Sequence, residues 1–112
     1  MKLKGILEKI PHTLIAGQGY QDIDINAGYC SDLLSRVMAK GPKEGIWITV
    51  QTHTNIIAVA SLLDIRCIIV PENIEIDSQT VEKAKDEGIV LISSPLTAFE
   101  ISGKLYAMGI ES

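Results

Sequence analysis

The sequence predicts an α/β fold, a three-layer domain with a mainly parallel sheet. From Gly45 onward, apolar strand-like runs alternate with helical runs in β-α repeats of roughly 20 residues. Such alternation requires right-handed crossovers between parallel strands. Hydrophobic residues make up 46% of the chain and aromatic residues only 4%, so the interior is aliphatic, as buried parallel strands prefer. At 112 residues we expect a single domain over residues 1–112.

A short N-terminal helix and a β-arm are expected before these repeats. Apolar residues recur at helical spacing over residues 2–9, and Pro11 ends the run. Residues 12–16 and 22–26 are short strand-like segments joined by a glycine-containing connection. They predict a hairpin or a loosely paired arm.

The repeats themselves are bounded by helix caps. Gly41 ends a first amphipathic helix, Asp77 and Gly88 bracket a charged helix, and Thr97 begins a capping-box pattern with Glu100. The predicted strands cover residues 46–50, 67–70 and 89–92, and the predicted helices cover 31–40, 55–63, 78–87 and a last one from 95 or 97 through 106.

The composition disfavours several classes of partner. The net charge is −4 with a pI near 5.0, and the ten basic residues are scattered, whereas nucleic-acid binding needs clustered Lys and Arg. No apolar run reaches the roughly 18–20 residues of a membrane span, and the N-terminus does not lead into a signal peptide. We therefore expect a cytoplasmic protein without nucleic-acid or membrane partners, in which Cys30 and Cys67 are buried free thiols.

No familiar catalytic or cofactor motif occurs. The sequence contains no GxxxxGK[ST], HExxH or GxSxG pattern. Residues 17–19 begin like a dinucleotide fingerprint, but Asp22 stands where its third glycine belongs. Residues 22–26 mimic the first ligands of a calcium loop, yet Ala27 replaces the required glycine. We expect no cofactor and no metal site.

Polar loops at predicted strand ends are the candidate ligand site. Ligands of open α/β sheets settle beyond the carboxyl ends of the strands, where helix N-termini present N–H groups. Neither of the two main loops contains an acidic or a basic side chain, and we expect the two loops to be neighbours on one rim. The candidate ligand-binding residues are Gln51, Thr52, His53, Thr54 and Asn55, then Ser93 and Ser94, with Gly28, Tyr29, Ser31 and Asp32 as a third lip.

Two alternative roles exist for these side chains. Helix capping alone explains Thr54, Ser94 and Thr97 about as well as ligand binding does. His53 could be a ligand contact, a structural turn residue or a catalytic base, but a base needs an orienting group and the sequence places no carboxylate beside it. A small hydrolase or transferase would require such a carboxylate within hydrogen-bond reach.

The predicted helix over residues 55–63 has almost no polar face. A helix that is apolar all round must be covered on every side. In so small a domain a second subunit can supply that cover, so we expect a homodimer. Burial between the sheet and the N-terminal arm is the alternative.

Several stretches together resemble the DRTGG domain family over nearly the whole chain. They are residues 28–35, 37–39, 46–53, 55–60, 88–89, 98–100 and 103–106. The Asp-Arg-Thr-Gly-Gly string itself is absent, and Gln51-Thr52-His53 stands where a Gly-Asp-Arg-like turn is expected.

The resemblance implies a regulatory role without a reaction of its own. DRTGG domains accompany catalytic or nucleotide-sensing modules, including phosphotransacetylases and pyrophosphatases, and are similar to the N-terminal domain of HPr kinase. We therefore expect a stand-alone regulatory or sensory domain that binds a small polar ligand, with nucleotides included, and acts through a dimer or a partner enzyme. A pure interaction module is the alternative.

Overall fold

The computed structural model describes the backbone of all 112 residues and every side chain except that of Gln21. Helices and strands alternate along most of the chain, with one short 3₁₀ helix at Tyr20–Asp22. The strands are β1 (Thr13–Ala16), β2 (Gly28–Cys30), β3 (Ile46–Ile48), β4 (Cys67–Val70) and β5 (Val90–Ser93). The helices are α1 (Leu3–Leu7), α2 (Leu34–Lys40), α3 (Asn55–Leu63), α4 (Ser78–Glu87) and α5 (Ala98–Ala107).

The five strands form one sheet in the order β1-β5-β4-β3-β2. Strands β2 to β5 are parallel, and β1 pairs with β5 in the antiparallel direction. Each parallel step is made through a helix, as right-handed crossovers require. The mainly parallel sheet predicted from the sequence is confirmed.

Side chains of alternating direction divide the core into two halves. Trp47, Ile68 and Leu91 face helices α2, α3 and α4 on one side of the sheet. Ile69 and Ile92 face α1 and α5 on the other side. Both faces of the sheet are therefore covered, and the three-layer prediction is confirmed.

The predicted pairing of the two N-terminal segments with each other is wrong. Residues 13–16 do form a strand, but its partner is β5, so β1 extends the sheet edge and makes no hairpin. Residues 22–26 contribute only an isolated bridge between Lys2 and Asp24, and Ile25 is buried in the core. Alternation of apolar and polar residues indicates that a segment is extended, but it does not identify the strand with which the segment pairs. Here the free edge of β5 is the partner of β1, and cross-strand contacts with β5 stabilise the pair.

A strand and a helix boundary differ from the prediction around residue 30. Gly28–Cys30 is strand β2, which three residues are too few to reveal by periodicity. Helix α2 begins at Leu34 and not at Ser31, because Ser31 and Asp32 hydrogen-bond to the neighbouring β3 segment. The residues expected to start a helix thus form a loop above the sheet.

Helix α3 is buried on one side only. Ile56, Ile57 and Ala60 pack on the sheet, whereas Leu62 is 69% exposed. The alternative of burial between the sheet and the N-terminal arm is wrong, because the N-terminal helix packs on the opposite face of the sheet. Cover by a second subunit stays a prediction. In the described part of the chain, no helix combines the length and the apolar character needed to cross a bilayer.

The two cysteines differ in exposure. Cys67 is fully buried, as predicted, and burial raises the pKa of its thiol. Cys30 is exposed on edge strand β2, so its predicted burial is wrong. We expect a thiol reagent to leave Cys67 unmodified in the native protein and to modify both cysteines in the urea-unfolded protein, as mass spectrometry of alkylated peptides will measure. Rapid native labelling of Cys67 would contradict this assignment.

Candidate functional site

The carboxyl ends of the four parallel strands form one rim of the sheet. The loops after β3 and β5 both emerge on this rim, as expected from the sequence. They are not neighbours, however, because β4 lies between β3 and β5. The rim therefore has two separate parts, one at β4 and β5 and one at β2 and β3.

The part at β4 and β5 is sealed by hydrogen bonds. The fully buried Ser94 hydroxyl donates to the carbonyl of Pro11 at 2.7 Å and accepts from the Leu96 amide at 3.2 Å. The Ser94 carbonyl accepts from the Asn73 amide at 2.9 Å. Ser93 is half-buried within β5. The structure thus gives Ser94 no surface for a ligand.

The part at β2 and β3 is organised by one carboxylate. Oδ1 of Asp32 accepts from the Thr49 hydroxyl at 2.9 Å and from the Val50 amide at 2.8 Å. In return, Nε2 of Gln51 donates to the Asp32 carbonyl at 2.9 Å. The indole N–H of Trp47 donates to the Ser31 carbonyl at 2.8 Å, fixing the same loop from below. Ser31, Asp32 and Gln51, predicted as separate contacts, form one unit.

A histidine–carboxylate pair joins this loop to helix α4. Nδ1 of His53 donates to Oδ2 of Asp77 at 2.7 Å. One residue earlier, the Thr52 carbonyl accepts from the buried Thr80 hydroxyl at 2.6 Å. From the sequence, Asp77 was expected only to cap a helix, and no role was predicted for Thr80. The β-α repeat could have indicated both, since consecutive helices on one face begin at the same rim.

The N-termini of α3 and α4 lack side-chain caps. Thr54 and Asp77 occupy the N-cap positions, yet neither accepts a hydrogen bond from its own helix. The predicted capping role of Thr54 is therefore wrong. By contrast, α5 has a complete capping box between Thr97 and Glu100, and hydrogen bonds from Thr97 lower the pKa of the Glu100 carboxyl. The Ile56 and Ile57 amides donate to the carbonyls of His53 and Thr54, and the Thr80 amide donates to that of Asp77. The first-turn amides without a backbone acceptor in the described chain are those of Asn55, Ser78 and Gln79.

A groove of about 640 Å³ runs between α3 and α4 from these N-termini. Its volume lies within the roughly 300–1,000 Å³ typical of small-molecule sites. Two acidic side chains and one lysine line it, and Asp77 precedes the lining residue Ser78, so the fold brings carboxylates to a loop that contains none in its own sequence. The groove is lined by Thr54, Asn55, Ala58, Ser78, Gln79, Glu82, Lys83 and Asp86.

Gly28 and Tyr29 do not join the rim. They are the first two residues of β2 and pair with Ile46 and Trp47 of β3. This is the end of β2 that lies away from the rim. Gly28 donates its amide to the Glu111 carbonyl, and both residues line a separate hollow against α5. Among the side chains that the structure describes, no cluster of three His, Cys, Asp or Glu residues could hold a metal ion.

No protein-family model and no curated protein matches this chain. Its fold is similar to a crystal structure of the CBS and DRTGG domains of the regulatory region of Clostridium perfringens pyrophosphatase, complexed with its activator, diadenosine tetraphosphate. The TM-score is 0.77 at 17% sequence identity. The match covers 93% of this chain and 45% of that chain, so this chain spans less than half of its neighbour.

The two proteins share a fold. At 17% identity the likeness extends to the backbone and not to individual side chains. The chemistry of this rim therefore rests on its own residues. His53 is 73% exposed with Nε2 directed away from its Asp77 partner, and Gln51 and Asn55 offer amide groups close by in the chain. This arrangement can hold a polar ligand by hydrogen bonds.

Proposed function

We propose that this protein is a regulatory domain that binds a small polar ligand where the β3 loop meets the N-termini of α3 and α4. The observation that supports the proposal is the fold match, since the neighbour is the regulatory region of a pyrophosphatase in complex with a nucleotide activator, and this chain matches 45% of it. Ligand binding acts on a partner enzyme or through a homodimer. The domain has no catalysis of its own.

Each rim residue has a specific role in this proposal. His53 contacts the ligand through Nε2, while Asp77 holds the ring by its Nδ1 hydrogen bond. Asn55 provides its side-chain amide and its backbone amide, which begins α3 and has no backbone acceptor in the described chain. Ser31 and Asp32 shape the lip and position Gln51, and Thr52 is fixed through its carbonyl.

Nucleotides are the first ligand class to test. A nucleotide presents hydroxyl and base groups together with phosphate, and the site offers amides, a histidine and carboxylate acceptors. Lys83 is the one basic side chain along the groove, so a long polyphosphate would have few charged contacts. Mononucleotides should therefore bind at least as well as dinucleoside polyphosphates.

A thermal-shift screen tests the proposal. AMP, ADP, ATP, the guanine counterparts and diadenosine tetraphosphate are added singly to the full chain, with acyl phosphates and phosphosugars as further probes. A bound ligand at a hundred times its dissociation constant adds about 2.7 kcal/mol to the stability of the native state. We expect at least one nucleotide to raise the melting temperature.

Substitution of His53 by alanine should weaken the binding of that nucleotide. Loss of a hydrogen bond to a charged group costs about 1.5–3 kcal/mol, which corresponds to a dissociation constant raised at least tenfold. His12→Ala is the matched control, because His12 precedes β1 and two strands separate β1 from β3. Titration calorimetry of both variants measures the difference. An equal effect of the two substitutions, or no shift by any nucleotide, contradicts the proposed site.

The Asp77 contact also favours one other candidate function. A histidine held by a carboxylate is part of the machinery of hydrolases and transferases. Among the described residues, however, no hydroxyl or thiol hydrogen-bonds to His53, and the pair lies open to solvent. Product formation in the nucleotide mixtures, abolished by His53→Ala, would replace the regulatory proposal by this one.

A further inference from the structure

Helix α5 carries an apolar stripe that nothing covers. Phe99, the single phenylalanine of the chain, is 87% exposed, and Tyr106 is 69% exposed. Residues 99, 103 and 106 follow the spacing of one helix face. Of the other exposed large hydrophobic side chains, three lie one each in β1, α2 and α3 and three lie outside helices and strands, so among the described side chains α5 is the single helix with two of them. Scattered apolar residues need no explanation, but a stripe indicates an interaction surface.

An apolar hollow lies beside this stripe. It encloses about 290 Å³ between α5 and edge strand β2, with Tyr29 and Cys30 on one side and Leu105 on the other. Ser102 and Tyr106 belong both to the hollow and to the outer side of α5. Phe99 stands one turn before Ser102, so a protruding ring and an unfilled hollow share one surface.

Gly103 is an unexplained glycine within the same helix. Glycine in a helix interior costs roughly 0.5–1 kcal/mol relative to alanine. A Cβ atom at Gly103 would meet no other atom of the chain within 4 Å, and the residue is exposed, so packing inside one chain does not require glycine there. A second backbone crossing closely over α5 would require it.

We propose that two copies of this chain associate through α5, with Phe99 of each copy in the hollow of the other. The ring and the hollow lie on the same chain. When two copies are related by a two-fold axis near Gly103, each ring fills the hollow of the other copy, and no ring or hollow is left for a third copy. The charges of α5 permit this contact. Glu100 and Lys104 are its charged residues and cancel, so two such helices do not repel each other although the whole chain has a net charge of −4. The proposal specifies the dimer in the proposed function, and it does not depend on the ligand.

The oligomeric state tests this interface. We expect the wild-type chain to be a dimer by sedimentation equilibrium and Phe99→Ala to shift it to monomer, with an unchanged circular-dichroism spectrum because Phe99 supports nothing within its own chain. Leu62→Ala, on the exposed side of α3, is the matched control and should stay dimeric. A monomeric wild type, or dissociation by Leu62→Ala and not by Phe99→Ala, overturns the proposal.

Disulfide trapping tests the geometry independently. Cys30 lines the hollow and Cys67 is buried, so in Phe99→Cys a thiol takes the place of the ring and meets Cys30 of the other copy. The pair is weaker without the ring, but oxidation captures each encounter covalently. Oxidised glutathione accepts the two electrons as the two thiols join. A closed two-fold pair gives a discrete, reducible dimer band, whereas Leu62→Cys gives none. A ladder of higher species, or equal bands for both variants, contradicts the two-fold arrangement.

The dimer and the ligand site can fail separately. The α5 stripe lies on the face of the sheet opposite α3 and α4. Phe99→Ala should therefore bind a nucleotide that binds to the wild type, and His53→Ala should remain dimeric.

Discussion

Replacing Trp47 by alanine is expected to lower the free energy of unfolding by about 3–5 kcal/mol, the range for large aromatic residues removed from a core. Trp47 is completely buried in β3, between the sheet and helices α2 to α4. Its indole N–H also satisfies the Ser31 carbonyl, which the substitution leaves without that donor. Since small domains are stable by about 5–15 kcal/mol, the loss is a large part of the total. Urea unfolding followed by circular dichroism measures it.

Two further variants separate packing from hydrogen bonding at this position. Trp47→Phe keeps most of the ring volume and removes the donor, so it should cost clearly less than Trp47→Ala. Leu62→Ala removes an exposed side chain and should change stability by no more than about 0.5 kcal/mol. A cost for Trp47→Ala as small as that of Leu62→Ala would contradict the placement of the indole in the core.

Trp47 also connects the core to the rim. Through Ser31 it fixes the loop whose next residue, Asp32, organises the β3 segment. Loss of the indole should therefore disorder the lip before the sheet melts. A chain with few aromatic residues relies on this one large ring at the centre of one core half.

The repeat region was predictable because short-range signals agree there. Strand β4 and helices α3 and α4 have the predicted bounds. Asp77 and Gly88 lie immediately before and after α4, and runs of branched aliphatic residues indicate the neighbouring strands, so the two kinds of signal agree. The N-terminal arm was not predictable in the same way. Alternation showed that residues 13–16 are extended, but only the tertiary structure decides that their partner is β5, more than 70 residues away in the chain.

The candidate site was predicted in outline and not in detail. Strand-end loops were located correctly, and the structure joins the β2 lip to the β3 loop. The sequence does not show which of these polar side chains form hydrogen bonds within the fold. Ser94 is consumed by a contact to Pro11 across 83 residues, and Asp77 turns from its helix to His53 across 24. Polar side chains at strand ends look alike in sequence whether they bind a ligand or a backbone.

The resulting rim is uneven, and this unevenness suits a switch. At β4 and β5 it is locked by backbone hydrogen bonds around Ser94. At β2 and β3 it is held by side chains, chiefly Asp32 and Gln51, which a ligand can rearrange at lower cost. A domain that responds to a ligand needs such a movable part on a rigid scaffold.

Asp32→Ala is expected to lower the free energy of unfolding by about 1–3 kcal/mol, the penalty for a buried polar group left without a partner. The Thr49 hydroxyl is buried and loses its acceptor, and the Val50 amide loses its own. Asp32→Asn keeps a side-chain oxygen and should cost less. Asp24→Ala, which removes an exposed ion pair with Lys2, is the control and should stay within about 1 kcal/mol.

A double-mutant cycle with Thr49→Val shows whether the two side chains act as a pair. Asp32→Ala leaves the Thr49 hydroxyl without its acceptor, and Thr49→Val removes that hydroxyl. The double variant should therefore lose less stability than the sum of the losses of the two single variants, with a coupling energy of about 0.5–3 kcal/mol. The Asp32 carboxylate holds the Thr49 hydroxyl, which in turn accepts from the Gln51 backbone amide, so Asp32→Ala should weaken nucleotide binding while Asp24→Ala does not. Additive costs together with unchanged binding would mean that Asp32 neither organises the β3 loop nor supports a ligand there.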